Sequence, residues 1–359
     1  MTDQGTRPGV PAQSPPVEPK TQDAPPPPRR GWWRSDGAEP VRRNLGLVGV
    51  LVVLVIIGAV TRPELYGDAS WVTGNVWTIL QQASAIGVVT VGMTFVIIGG
   101  GIDLSVGAIV AVAGVWSTTL ATQSYGAAGM IFTAIVVGVV VGLINGVLIA
   151  YGRLVPFIAT LAMMVAARGL AAQISDKQTQ VSTNTLINDI ASARIIGIPM
   201  LVIILALVVA AGWVLLNRTT FGRRTVAVGG NVEAARLAGI NVRLHTVLLY
   251  ALSGLCCGIA AIMLTSQATS AQAAMANLYE LDAIAAAIIG GTLLSGGRGT
   301  IIGALFGVLV FSTITNLFAI NNLSTEAQNM VKGGIIVAAV LVQQFRYRSL
   351  TQLLTRRPT

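Results

Sequence analysis

Five polar residues lie inside or beside long apolar runs. A polar side chain costs free energy in such surroundings, so each is a candidate for a functional role. These residues are Asp103, Ser105, Glu280, Asp282 and Lys332. Carboxylate, hydroxyl and ammonium groups can exchange hydrogen bonds with the hydroxyl groups of a polar solute. Ionisable residues within membrane segments often mark the path of a substrate or an ion. The five residues are therefore our candidates for lining a translocation path.

Asp103 also has an interpretation that involves no solute. It follows the three glycines 99–101, which are expected to break a helix. An aspartate in this position can cap the next helix by accepting a hydrogen bond from the N–H of Ser105 or Val106. The residues alone leave capping and a place on the path both open.

Glu280 and Asp282 stand where the chain enters an apolar segment. At that position a carboxylate can contact the hydroxyl groups of a polar solute, pair with Arg168 or Lys332, or mark the membrane interface. A sequence contains no distances, so the pairing of these charges is a hypothesis for the structure to test.

The elements that must position these residues are transmembrane helices. Of the 359 residues, 53 % are hydrophobic and 10 % are charged, whereas a soluble domain carries about 25 % charged residues. Apolar runs of about 20 residues are long enough to cross the hydrocarbon core of a bilayer. We predict an all-α polytopic membrane protein with about ten transmembrane helices, some broken by Gly-rich stretches. The predicted spans are 44–61, 76–98, 104–122, 129–151, 156–175, 199–216, 245–266, 281–295, 300–320 and 329–345.

The distribution of basic residues predicts the orientation. With the amino terminus inside the cell, 18 of the 23 basic residues fall on cytoplasmic segments, and only Arg62, Lys177 and Arg194 fall outside. Cytoplasmic loops of membrane proteins are enriched in Lys and Arg. We therefore predict that both termini are cytoplasmic, and we assign the net charge of +9 to membrane orientation and not to nucleic-acid binding.

The ends of the chain differ from its transmembrane domain. Residues 1–43 hold ten of the fourteen prolines and are predicted to be a disordered cytoplasmic tail. Residues 44–345 form the predicted transmembrane domain, and 346–359 form a basic cytoplasmic tail. The longest predicted cytoplasmic loop covers residues 217–244.

That loop contains a predicted short helix at 232–238. Asn231 stands at the N-cap position, Glu233 in the first turn suits the helix dipole, and Gly239 stands at the C-cap position. The helix carries small residues and one apolar side chain, Leu237. It can seat in a groove of another protein or lie on the membrane surface, and physical reasoning alone favours neither.

The same loop resembles the coupling loop of ATP-binding-cassette importer permeases. The segment EAARLAG at 233–239 has the EAA-type pattern, with three residues between its second alanine and its glycine. Five segments resemble the ribose/xylose-type sugar permeases in particular: 92–107, 156–161, 222–242, 279–285 and 290–299. The resemblance implies that the following residues contact a cytoplasmic ATPase: Glu233, Ala234, Ala235, Leu237 and Gly239.

The resemblance implies a permease subunit of an ATP-driven sugar importer in a bacterial plasma membrane. It implies three protein partners: a cytoplasmic ATP-binding-cassette ATPase, an extracytoplasmic sugar-binding protein, and a second permease copy in a homodimer. Transport would proceed by alternating access, with the helix near Glu233 passing motion to the spans around the Gly-rich breaks.

The sequence itself argues against an enzyme. A nucleotide-binding P-loop needs a lysine after glycine, and Lys20, Lys177 and Lys332 all follow other residues. We find no metal-ligand spacing, no cofactor motif and no catalytic constellation. The alternatives are an ion-coupled secondary transporter, with Asp103, Asp282 and Lys332 as a relay, and a membrane protein that serves assembly without transport.

Overall fold

The structure, a computed structural model, describes the backbone of residues 39–355 and the side chains of residues 44–341. The predicted tails at 1–43 and 346–359 lie mostly outside this range. Within it the chain forms fifteen helices: α1 Glu39–Thr61, α2 Pro63–Tyr66, α3 Ala69–Ile98, α4 Val106–Ser117, α5 Leu120–Gln123, α6 Gly126–Ala150, α7 Pro156–Ile174, α8 Thr185–Asp189, α9 Met200–Arg218, α10 Thr220–Gly230, α11 Val232–Leu237, α12 Val242–Ala268, α13 Tyr279–Ile289, α14 Ile301–Ile320 and α15 Thr325–Thr355.

Four two-residue strands lie in the connections between helices: β1 Gln180–Val181, β2 Arg194–Ile195, β3 Ile198–Pro199 and β4 Ser270–Ala271. β1 pairs antiparallel with β4, and β2 pairs antiparallel with β3. The segment after α7 is also tied to α12, because the Ala191 N–H donates to the Ser266 hydroxyl oxygen at 2.8 Å. The polar connection between α7 and α9 is therefore folded onto the end of α12.

Seven helices within the described residues are long and apolar enough to cross a membrane. They are α1 from Asn44 onward, α3, α6, α7, α9, α12 and α14. These helices coincide with seven of the ten predicted spans and confirm an all-α polytopic architecture. The other three predicted spans correspond to α4, α13 and α15, so the count of ten crossings stays a prediction.

α4 and α13 are short because glycine-rich turns interrupt the chain. They have 12 and 11 residues, and 12 helical residues extend about 18 Å, less than the roughly 30 Å of hydrocarbon. α3 ends at Ile98, and Gly100 then takes a φ of +87°, which glycine adopts without strain. Gly296 and Gly297 take similar left-handed conformations between α13 and α14. The predicted Gly-rich breaks are thus present.

α12 lies at the centre of the bundle and packs against α6, α3 and α4. Its contact with α6 uses a row of glycines four residues apart, Gly138, Gly142 and Gly146. A Cβ on Gly146 would lie 2.6 Å from the Val247 Cα on α12, which real side chains do not allow. Small residues let two backbones approach closely, and helix association in lipid depends on such packing.

Candidate functional site

The short helix predicted in the loop 217–244 is present as α11. The Asn231 side chain accepts a hydrogen bond from the Ala234 N–H at 2.9 Å, which confirms the predicted N-cap. Gly239 has a φ of +80°, and the Ile240 N–H donates to the Ala235 carbonyl at 3.1 Å. A left-handed residue that closes a helix in this way is a common C-terminal cap.

α11 turns most of its predicted coupling residues away from the rest of the chain. Leu237 is 87 % exposed, and Glu233, Ala234 and Gly239 are also exposed. Ala235 is only 4 % exposed, so it packs against this chain and is not open to a partner. A capped helix that exposes a large apolar side chain can contact another protein or the membrane surface, which are the two alternatives that the sequence left open.

α10 attaches α11 to the transmembrane core. The Phe221 ring lies 4.7 Å from the His245 ring and 6.1 Å from the Phe95 ring, measured between centroids. The Thr225 hydroxyl lies 3.0 Å from His245 Nε2. This contact joins α10 to α12 and α3. This contact was not predicted from the sequence, since one histidine at the start of a span is usually a bystander.

Three backbone segments meet where α10 ends, at Ile98, Gly229 and Gly297, which we call the glycine junction. The Gly297 N–H donates to the Ile98 carbonyl at 2.8 Å. A Cβ on Gly229 would overlap that same carbonyl oxygen and would lie 2.7 Å from the Gly297 nitrogen. The end of α10 therefore touches both glycine-rich breaks, so a displacement of α11 and α10 has a direct route to them.

A cavity of about 410 Å³ lies among α3, α12, α13, α14 and α15. Its volume is in the range of about 300–1,000 Å³ that is usual for small-molecule sites. Its polar lining residues are Gln82, Gln267, Tyr279, Asp282, Ser312, Thr315 and Lys332. Most of these were not candidates, because an uncharged polar residue within an apolar helix carries little signal by itself.

An ion pair lines this cavity. Lys332 Nζ lies 3.1 Å from Asp282 Oδ2, and the two side chains are 19 % and 16 % exposed. The same ammonium group lies 5.5 Å from the centroid of the Phe311 ring. An aromatic face beside charged hydrogen-bonding groups can bind a neutral polyol through its C–H groups and its hydroxyls. The structure therefore pairs Asp282 with Lys332, which is one of the pairings that the sequence left open.

The other path candidates lie elsewhere. Asp103 and Ser105 are fully buried at the start of α4. Asp103 accepts the predicted hydrogen bond from the Ser105 N–H at 3.0 Å, although Ser105 and not Asp103 stands at the N-cap position of α4. Its second oxygen accepts from the Ser253 hydroxyl at 3.0 Å. The Asn145 amide donates to the Ser105 hydroxyl at 2.8 Å. This network connects α4 with α6 and α12 in the interior. Glu280 is also buried and does not line the cavity.

Comparison with known proteins identifies the family of this chain. Residues 75–340 match the family described as branched-chain amino acid transport system / permease component. The ribose import permease protein of Bacillus subtilis is 41 % identical over 85 % of this chain and 94 % of its own length. The L-arabinose ABC transporter permease protein of Azospirillum brasilense is 36 % identical over 84 % and 87 %. The galactofuranose transporter permease protein of Escherichia coli is 34 % identical over 85 % and 90 %.

No solved structure matches the chain significantly. The assignment therefore rests on the family match, which covers most of the chain, and on relatives aligned over nearly their whole length. The membrane-spanning helices, the glycine-rich breaks and the exposed helix α11 fit the same assignment. This chain belongs to the family of branched-chain amino acid transport system permease components, and it is a multi-pass membrane transport subunit that is not itself an enzyme.

Proposed function

We propose that this chain is the permease subunit of an ATP-driven importer for a monosaccharide of the ribose type. The observation that carries the proposal is α11, a capped helix that exposes Leu237 and is fixed to the core by α10. The sequence has no P-loop, so the energy for uphill transport comes from an ion gradient or from a separate ATPase, and the ABC transporter permease among the relatives favours the ATPase. α11 is the surface that would receive it, and the names of the sugar permease relatives support the substrate class.

The same proposal includes three partners and an orientation. A cytoplasmic ATP-binding-cassette ATPase would dock on α11, an extracytoplasmic sugar-binding protein would deliver the substrate, and a second copy of this chain would complete a homodimer. Both termini would be cytoplasmic, as the bias of basic residues predicts. ATP would be bound by the ATPase, and this chain would need no cofactor of its own.

The cavity at the Asp282–Lys332 pair is the proposed entry part of the sugar path. It lies where α12 ends and where α13 and α15 begin. α10 and α11 lie beyond the other end of α12, beside its first residues. In the predicted orientation the cavity therefore faces the side from which the sugar arrives, and α11 faces the ATPase.

Uptake of labelled sugars tests the substrate class directly. A strain that lacks this permease would be complemented with the wild-type chain and offered ribose, xylose, arabinose, allose and galactose. We expect the wild-type chain to restore uptake of one sugar, and this uptake should persist when an uncoupler removes ion gradients at constant ATP. Uptake that stops with the gradient would favour a secondary transporter, and no uptake of any sugar would contradict the proposal.

The charge pair gives a further prediction. Asp282→Lys and Lys332→Asp should each reduce uptake about tenfold or more, because a partly buried charge then lies beside a like charge. The double swap should recover at least half of the wild-type rate by restoring the pair. The same exchange at the surface pair Arg62–Glu64, 3.6 Å apart and more exposed, is the matched control. It should change uptake less than twofold, because surface ion pairs contribute little. Failure of the double swap to recover uptake would contradict a role for the pair.

A further inference from the structure

Arg168 on α7 holds a stretch of backbone that is neither helix nor strand. Its Nη1 donates to the Ala273 carbonyl at 2.7 Å and to the Met275 carbonyl at 2.6 Å, and its Nη2 donates to the Ala276 carbonyl at 3.2 Å. A guanidinium group has five donors in a rigid plane and accepts nothing. It is therefore suited to fix several carbonyl oxygens at once, which lysine cannot do with the same geometry.

The stretch that Arg168 holds needs such support. Ala276 and Leu278 take φ values of +53° and +66°, a conformation that costs a non-glycine residue about 1–3 kcal/mol. α13 begins directly after them, and its N-cap residue, Leu278, makes no side-chain capping hydrogen bond. At its other end the stretch is anchored by the pairing of β4 with β1. Arg168 thus stabilises the strained backbone that leads into α13.

The residues around the guanidinium group accommodate both its charge and its size. Glu280 attracts Arg168 through space, and its Oε2 is buried without a hydrogen-bond partner among the described residues. Gly107 on α4 leaves the necessary room. A Cβ there would lie 3.3 Å from Arg168 Nη2 and 2.6 Å from Glu280 Oε2, and it would overlap the Ala276 carbonyl oxygen. Helices α4, α7 and α13 therefore meet around one partly buried cation.

The position of α13 decides the geometry of the cavity. Its first turn carries Tyr279 and Asp282, and both line the cavity. A helix is stiff, so the point at which its leading backbone is fixed also sets where these two side chains lie. We propose that Arg168 is a positioning residue for transport: by holding the carbonyls of Ala273, Met275 and Ala276 it places Asp282 opposite Lys332. This inference rests on the proposed function, since the cavity is its sugar path.

A double-mutant cycle tests whether Arg168 acts through Asp282. Arg168→Gln should lower the rate of sugar uptake about tenfold, and Arg168→Lys should retain more uptake because it keeps the charge. In an Asp282→Asn background, Arg168→Gln should lower uptake less than twofold further, because the residue that it positions is already impaired. Losses that multiply would contradict the proposal, as would normal uptake by Arg168→Gln.

Gly107→Ala disturbs the same contact from the opposite side and keeps Arg168 in place. It should reduce uptake and show the same lack of additivity with Asp282→Asn. Gly169→Ala is the matched control, because Gly169 neighbours Arg168 and a Cβ on it would meet nothing within 4 Å. If Arg168→Gln and Gly107→Ala both lower the amount of inserted permease as much as they lower uptake, Arg168 serves folding alone and the proposal fails.

A labelling experiment reports on α13 without any sugar. Cys256 and Cys257 are both buried, so a thiol introduced by Tyr279→Cys is the one that a membrane-impermeant maleimide should reach. Arg168→Gln should change its labelling rate at least fivefold, whereas Gly169→Ala should not. An unchanged rate would overturn the positioning role even if sugar uptake is established. A changed rate without uptake of any sugar would reject the proposed function and keep the positioning of α13.

Discussion

Replacing Gly229 with alanine is expected to abolish nearly all transport, although the change adds one methyl group far from the cavity. The new Cβ would overlap the Ile98 carbonyl oxygen, which already accepts from the Gly297 N–H at 2.8 Å. The atoms in the way are backbone, so they cannot rotate aside as a flexible side chain does. Overpacking of this kind costs about 1–3 kcal/mol or more, and here it separates α10 from both helix breaks. We expect uptake below about a tenth of the wild-type rate, because a free-energy cost of about 1.4 kcal/mol corresponds to a tenfold change in an equilibrium constant.

Gly230→Ala is the control for this prediction. It lies in the same last turn of α10, and a Cβ on it would meet nothing within 4 Å. Both variants have the same change in helix propensity, so a difference between them isolates the contact at the glycine junction. Uptake and the amount of inserted permease should be measured together. Equal and near-normal uptake by Gly229→Ala and Gly230→Ala would show that the glycine junction does not carry motion or stability.

Leu237→Glu is expected to disconnect transport from ATP hydrolysis while leaving the permease folded. Leu237 is 87 % exposed, so its replacement removes no packing within this chain. A charge in place of an apolar side chain would have to be desolvated in the ATPase groove, and the loss of a hot-spot residue at the centre of an interface costs about 2 kcal/mol or more. We expect uptake to fall at least about thirtyfold, together with loss of the ATPase from the purified complex.

Leu237→Met keeps the size and the apolar character of the side chain and should retain at least half of the uptake. Leu237 is also a better target than Gly239, whose φ of +80° means that any side chain there strains the cap of α11. Co-purification of the ATPase and ATP hydrolysis by the reconstituted complex are the readouts. An ATPase that stays bound to Leu237→Glu and still drives uptake would remove α11 from the coupling route.

Local features were predictable from the sequence because their causes lie within a few residues. Asn231 and Gly239 cap α11 as their spacing predicts, since capping involves groups only three or four residues apart. The glycine run before Asp103 ends α3 as expected. The long apolar helices follow from hydropathy, because a bilayer demands about 20 apolar residues for each crossing. The family resemblance, carried by five segments, agrees with the family match and the relatives.

Contacts between residues that are far apart in the chain could not be predicted from the sequence. Asp282 pairs with Lys332 fifty residues away, and Arg168 reaches the Ala273 carbonyl 105 residues away. Asp103 and Asp282 look alike in sequence, each an acid beside an apolar run, yet one is fully buried in a hydrogen-bonded network and the other lines a cavity.

The sequence by itself determined that this chain lies in a membrane, which family it belongs to and where the capped helix α11 lies, because hydropathy and capping act locally. Tertiary structure alone decided which polar side chains share a cavity and that the backbone at Gly229 must touch the one at Ile98. The physical reason is that helix packing selects one among many possible arrangements of similar apolar helices. That selection depends on the summed shape of all the contacting faces.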